Sequence, residues 1–212
     1  MNQPAENLNH YVSLWGLSNP QPLAQTPTSD VYTVRFNGEV AVLKLLTPIG
    51  HEERSGAVAL TCYDGHGAVR LLRHDDHAHL LEYAGDNDLV DMIQNGEDEQ
   101  ATVIIAGVLN KLHGAYTGTP PEGLYRLERW FRSLFNRAEG DTQSGINSIY
   151  RRGAKVARVL LDTPREERVL HGDIHHENIR HHPVRGWLAF DPKGLYGERT
   201  YDTANTLCNP TP

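Results

Sequence analysis

Cysteine is scarce in this chain: Cys62 and Cys208 are the only two among 212 residues, and they form no Cys-x-x-Cys pair. A disulfide framework is thereby disfavoured, and a reducing, cytoplasmic setting is the expectation. No stretch approaches the roughly 18 consecutive apolar residues of a membrane span. The N-terminal segment MNQPAENLNHYVSLWGL has neither the basic start nor the apolar centre of a signal peptide. Positive charge is also in short supply. Twenty Lys and Arg against 27 Asp and Glu leave a net charge of −7, which argues against a general nucleic-acid binder, because such proteins need basic patches for phosphate. Residues 1–83 carry nine acids against five bases and residues 84–212 eighteen against fifteen, so the acidity marks no one region as a site for a cationic partner. Repeats, low-complexity tracts and long linkers are missing too. The length suits one large domain or two small lobes, each burying a core.

What is present begins with strands. Val31-Tyr-Thr-Val-Arg-Phe36 and Glu39-Val-Ala-Val-Leu-Lys-Leu-Leu46 flank Asn37-Gly38, the dipeptide suited to a two-residue hairpin turn with positive φ. Residues 52–63 read as a helix with Glu53, Ala57 and Leu60 on one face. Residues 69–72 and 79–83 read as further strands around the polar turn Arg73-His-Asp-Asp76. From about residue 86 the period becomes helical. Val103, Ile104, Val108 and Leu112 form one stripe, with His113-Gly114 as its expected end. Leu124 to Phe135 carries a second stripe and Ile146 to Leu160 a third, and all are expected in the core. Short β-like pieces follow at 169–170 and 187–190. The expected class is α+β: a small antiparallel five-strand lobe with one helix over residues 1–83, then a mainly helical lobe with a short hairpin over 84–212.

The densest chemical signal is Val169-Leu-His-Gly-Asp-Ile-His-His-Glu-Asn-Ile179, followed by Leu188-Ala-Phe-Asp-Pro-Lys-Gly194. Asp173 and Asn178 stand five apart, the spacing of base and metal ligand in a kinase catalytic loop. One side chain must meet an acceptor hydroxyl while the other reaches a metal on the phosphates. Asp191 then arrives at the end of an apolar strand, where a second metal-binding carboxylate is needed. Pro192 biases Asp191 toward extended backbone.

HGDIHHENI and FDPKGLYGERTYDTANTLCNP resemble the aminoglycoside/hydroxyurea resistance kinase family, and the resemblance runs from Trp15 to the last residue. It implies a protein-kinase-like fold and transfer of phosphate from ATP, with Mg2+, to a hydroxyl of a small molecule such as a streptomycin-like aminoglycoside or hydroxyurea. By resemblance Asp173 is catalytic, Asn178 and Asp191 bind the metal, and Lys44 contacts the α- and β-phosphates. Leu80-Leu-Glu-Tyr-Ala84 matches the hinge, whose main chain at Glu82, Tyr83 and Ala84 would hold the adenine edge. The partner of Lys44 is Glu53 on the helix-face argument, with Glu52 open as the alternative. No G-x-G-x-x-G precedes the lysine strand. Thr26-Pro-Thr-Ser-Asp30 stands there, so the hydroxyls of Thr28 or Ser29 are candidates to cap the phosphates.

Other readings stand beside this one. Twelve histidines, among them His74, His77 and His79, invite a metal site, and Asp173-x-His175 matches half of a metallophosphoesterase pattern whose remaining ligands are missing. His171 is read as a buttress of the catalytic loop. Asp202 either accepts backbone N–H bonds from that loop or caps a helix. Kinases resembling this chain continue past the Asn-Pro motif, whereas the sequence stops at Asn209-Pro-Thr-Pro212. The expectation is a C-lobe lacking helices, an open acceptor side that favours self-association, and, as the alternative function, a catalytically weak nucleotide-binding remnant.

Overall fold

Residues 3–208 are described in a computed structural model of the chain. It opens with helix α1 (Gln3–Trp15), which the patterns above do not anticipate. Leu8, Tyr11, Val12 and Trp15 recur at the three- and four-residue spacing of one helix face, and Tyr11 and Trp15 are buried against the sheet. The Tyr11 hydroxyl donates to Asp75 at 2.9 Å, tying the helix to the β4–β5 turn region described below. The N-terminal part therefore holds two α-helices instead of one. Polar Asn and Glu residues dilute this short stripe, and the sheet it packs on is what makes it visible.

Five antiparallel strands follow: β1 (Ser18–Gln25), β2 (Ser29–Phe36), β3 (Glu39–Leu46), β4 (Leu71–His74) and β5 (Ala78–Glu82), in the order β1-β2-β3-β5-β4. Asn37 and Gly38 both take positive φ, 52° and 87°, which twists the β2–β3 hairpin in the sense its strands require. β1 carries Pro20 and Pro22 and irregular register. Proline lacks the N–H a central strand must donate, so this strand is tolerated at the sheet edge. Alternation in β3 divides the two faces. Ala41, Leu43 and Leu45 pack under α1 with Val34, Ala78 and Leu80. Lys44, one position out of phase with that set, points to the other side.

On that other side lies α2 (Arg54–Tyr63), entered through a 3-10 turn at Gly50–Glu53. Its Ala59, Leu60 and Tyr63 join Val69 and Leu81 in a core shared with the C-terminal elements. These elements are α3 (Val90–Gln94), α4 (Asp98–Ala115), β6 (Tyr125–Arg126), α5 (Leu127–Trp130), α6 (Arg132–Gln143), α7 (Ile149–Asp162), β7 (Glu167–Leu170), β8 (Ile179–His182), β9 (Gly186–Ala189), β10 (Leu195–Glu198) and α8 (Thr200–Thr206). β10 joins β6 and β7 in one small sheet, and β8 and β9 form a separate hairpin.

Three helical expectations are corrected. α4 buries Ala101, Ile105, Val108 and Leu112 while Val103 is 71% exposed, and the helix runs on through His113, which is buried and bonded to Asp202. The stripe from Leu124 to Phe135 is divided among β6, α5 and α6. In α7 only Ala154 and Ala157 are buried, and Ile149, Val156 and Leu160 face solvent. Periodicity identifies an apolar face but does not say whether anything covers it. Asn209 and Pro210, which close the second motif, lie outside the described residues. Among the described residues no helix is long and apolar enough to cross a membrane.

Two glycines set how closely α2 meets the segment after β9. A Cβ at Gly56 would collide with the Pro192 carbonyl, and one at Gly194, where φ is +66°, would collide with the Ser55 carbonyl. Gly194→Ala combines a left-handed backbone penalty of about 1–2 kcal/mol with overpacking of about 1–3 kcal/mol. Chemical denaturation should therefore show a loss of at least about 2 kcal/mol. Unchanged stability would mean that α2 retreats freely from this segment.

Candidate active site

The register of the sheet places Lys44 opposite His79 on β5, on the face toward α2. The Lys44 ammonium reaches Glu53 Oε2 at 2.6 Å and also pairs with Asp191 Oδ1. Lys44 and Glu53 side chains are each only 9% exposed, whereas Glu52 is exposed. Glu53 is thus the partner in the structure. It stands at the junction of the 3-10 turn and α2, one turn before the buried Ala57 and Leu60, which is why it shares their face. Thr28 Oγ1 donates to the other carboxylate oxygen of Glu53 at 3.0 Å. The turn between β1 and β2 is therefore tied to the same ion pair.

Asp191 and Asn178 are brought together by the β8–β9 hairpin. Ile179 pairs with Ala189, and the Phe190 N–H donates to the Asn178 carbonyl at 3.0 Å, so the two residues flank the open end of one ladder. Asp191 takes φ +59°, not the extended backbone that Pro192 favours. A non-glycine residue in this region costs about 1–3 kcal/mol and persists where surrounding contacts over-determine it. Here the Lys44 pair and the tight packing of Pro192 on Gly56 supply those contacts.

Asp173 sits on a loop held from behind by Asp202. The Asp202 carboxylate is fully buried and accepts the His171 N–H at 3.0 Å, the Gly172 N–H at 2.8 Å and His113 Nε2 at 2.9 Å. This is the backbone-accepting role, since Asp202 lies inside α8 and does not cap it. His171 is also fully buried. Its Nδ1 accepts the Asp173 N–H at 3.3 Å, and its Nε2 donates to the Phe190 carbonyl at 2.9 Å. Those two bonds define a neutral tautomer, and burial accordingly pushes the His171 pKa down. The Asn178 amide donates to the Asp173 carbonyl at 2.8 Å, which leaves its side-chain oxygen for another partner.

A cleft of about 500 Å3 runs between the sheet and this loop region, within the range of small-molecule sites. Of the residues expected at the site, Ser29, Lys44, Glu53, Glu82, Tyr83, Ala84 and Asp191 line it. Asp173 and Asn178 do not line it: Asp173 is joined to it through Lys193, whose Nζ is 3.7 Å from Asp173 Oδ2 and 4.0 Å from Asp191 Oδ2, and Asn178 through its carbonyl, bonded to the lining residue Phe190. Lys193 was not anticipated, although its place two residues after Asp191 was a signal. Ser29 is buried, and its hydroxyl lies 3.1 Å from that of Thr26. The Glu82 side chain turns to Arg185, and its N–H donates to the Arg70 carbonyl at 2.9 Å. What Glu82 can offer at the cleft is therefore limited to its remaining main-chain group.

Electrostatically the centre has three carboxylates, on Glu53, Asp173 and Asp191, against two ammonium groups. Burial disfavours charge on Lys44, but Asp191 and Glu53 more than offset it and hold its pKa above the ordinary value. Burial likewise opposes charge on Asp191, and Lys44 and then Lys193 outweigh it, holding that carboxyl below its usual range. Among the described residues no cluster of three or more His, Cys, Asp or Glu is suited to a metal ion. Magnesium makes a smaller demand: one or two protein oxygens plus phosphate and water. Asp191 and the Asn178 side-chain oxygen are the groups that could hold such an ion.

Among solved structures, an aminoglycoside phosphotransferase in a ternary complex with streptomycin and ATP superposes with a TM-score of 0.64 at 13% identity, covering 95% of this chain and 75% of that one. Such identity speaks to fold alone, and the fold is α+β and protein-kinase-like. Sequence carries the assignment further. The chain belongs to the aminoglycoside/hydroxyurea antibiotic resistance kinase family, whose profile matches residues 14–212. It is 39% identical over 197 residues to streptomycin 3''-kinase of Klebsiella pneumoniae, covering 92% of this chain and 71% of that protein. Streptomycin 6-kinase of Streptomyces griseus is 32% identical over 179 residues, 81% of this chain and 56% of its own length.

His79, across from Lys44, carries a testable consequence of this burial. Its Nε2 has no hydrogen-bond partner among the described residues, and burial, then Lys44, lower its pKa to about 4. The unfolded chain takes up that proton near pH 6.5, so stability is fully present above pH 6.5 and is lost as pH falls toward 4, by up to about 3 kcal/mol. Urea denaturation of His79→Leu should show a weaker loss of stability between pH 6.5 and 4 than the parent. Identical acid sensitivity in the two proteins would contradict this.

Proposed function

We propose that the chain transfers the γ-phosphoryl group of ATP, with Mg2+, to a hydroxyl of a streptomycin-like aminoglycoside. The observation that carries this reading is Lys44 held between Glu53 and Asp191 in a nucleotide-sized cleft that Asp173 borders. The family and the names of its relatives support the acceptor class. In this reading residues 1–83 bind the nucleotide and residues 84–212 carry the catalytic loop.

The adenine edge is held by the main chain at Glu82, Tyr83 and Ala84. Among the described residues, Tyr83 and Ala84 main-chain groups have no hydrogen bond outside strands. Lys44 binds the α- and β-phosphates, kept in place by Glu53, and the hydroxyls of Ser29 and Thr28 cap the phosphates from the β1–β2 turn. Asn178 and Asp191 hold the magnesium ion, which when bound neutralises phosphate charge. Asp173 orients the acceptor hydroxyl. As the new bond to phosphorus forms and the bond to the β–γ bridging oxygen breaks, ADP departs and the hydroxyl proton passes to Asp173. A carboxylate is too weak a base to remove that proton earlier.

The test is ATP consumption by the purified chain with magnesium across streptomycin, hydroxyurea and polyols, with phosphorylated product identified by mass spectrometry. Phosphorylation of hydroxyurea alone would move the acceptor assignment, and no acceptor-dependent turnover at all would refute the reading. Asp173→Ala should lower turnover by about 10²- to 10⁴-fold while Mg-ATP affinity stays within about threefold, because this residue serves the acceptor. Asp191→Ala should instead abolish magnesium-dependent nucleotide binding. Calorimetry giving both variants the parent's affinity would remove Asp191 from the metal site.

A further inference from the structure

Lys193 differs from Lys44 in how it is held. Its backbone is clamped at both ends: its N–H donates to the His171 carbonyl at 2.7 Å, and its carbonyl accepts from the Ser55 hydroxyl at 2.6 Å. The first contact belongs to the catalytic loop and the second to α2. Gly194, packed beneath Ser55, leaves this segment no freedom to withdraw. The head group is by contrast uncommitted. Nζ stands 3.7 Å from Asp173, 3.8 Å from Glu53 and 4.0 Å from Asp191, beyond ordinary hydrogen-bond length from all three. The side chain is 27% exposed and lines the cleft. An ammonium group has three donors to place, and none of the three carboxylates takes one at bonding distance.

Resting on the phosphotransferase reading above, we infer that Lys193 is a catalytic residue that donates hydrogen bonds to the oxygens of the transferring phosphoryl group. Asp173 marks where the acceptor oxygen lies and Asp191 marks the metal-bridged phosphates, so the phosphoryl group must pass between them. Among the described residues Lys193 is the cation within 4.0 Å of both carboxylates that is not already bonded to either. In transfer, negative charge is spread over the equatorial oxygens of that group, and a fixed donor at that point stabilises it without reorganisation. Lys44, bonded to Glu53 and Asp191, anchors the nucleotide; Lys193 acts on the group that moves. A lysine serving only as counter-ion to the carboxylates would affect all nucleotides alike.

That contrast supplies the experiment. Affinities for ADP, ATP and ADP with aluminium fluoride, all with magnesium, are measured on the parent, Lys193→Met and Lys193→Arg, alongside kcat and KM for streptomycin phosphorylation. For Lys193→Met, ADP affinity should stay within about twofold, the extra affinity conferred by aluminium fluoride should disappear, and kcat should fall about 10²- to 10³-fold, the loss typical of one transition-state donor. Lys193→Arg, which keeps the charge, should retain part of the aluminium fluoride effect and guards against misfolding of the methionine variant. Equal weakening of ADP and ATP, a retained aluminium fluoride effect in Lys193→Met, or an unchanged kcat would each overturn the inference while leaving the phosphotransferase reading intact. A parent chain that binds no magnesium nucleotide would overturn both.

Discussion

The ion pair from Lys44 to Glu53 and Asp191 is the interaction on which the rest of this structure depends. It joins a strand of the five-stranded sheet and the entry to α2, nine residues further on, to the end of the β8–β9 hairpin, 147 residues from the lysine. Buried charges are tolerated only when paired, because breaking one partner leaves an uncompensated charge in a poorly solvated place. Two carboxylates on one ammonium also leave the centre with negative charge to be balanced. Lys193 stands within 4.0 Å of the same two carboxylates.

A second layer keeps the reacting loop in register. Asp202 takes the N–H groups of His171 and Gly172, and His171 in turn links Asp173 to Phe190, which follows β9 and precedes Asp191. Every polar atom in this chain of bonds is used inward, so it rigidifies the loop without competing for substrate. The close contact of α2 with Pro192 and Gly194 does the same for the segment carrying Asp191 and Lys193. Positioning of this kind is what phosphoryl transfer asks of a protein, since little covalent chemistry falls to its side chains.

The helical region behaves differently. α7 turns Ile149, Val156 and Leu160 to solvent, although its pattern is strongly amphipathic. Amphipathic spacing reports that a helix has a face to bury. Whether that face is met depends on a neighbour, and the pattern contains no information about the neighbour. The same limit explains α4, where Val103 reads as core and is exposed, and α1, whose burial comes from a sheet laid down later in the chain.

By itself the sequence determined the β2–β3 hairpin, through the positive-φ dipeptide Asn37-Gly38, and the α+β class, through the change of period near residue 86. It also singled out Asp173, Asn178 and Asp191 as candidates for the chemistry, since they stand at spacings set by local loops and a hairpin. Local geometry is legible because the interactions that make it lie a few residues apart. Only the tertiary structure decided that Glu53 and not Glu52 meets Lys44, that Asp191 adopts φ +59° despite Pro192, and that Lys193 reaches the centre. Those outcomes depend on how separate elements pack, through contacts such as Lys44 with Asp191 or Gly56 with Pro192. Packing across such distances is the product of the whole core, and no short stretch of sequence encodes it.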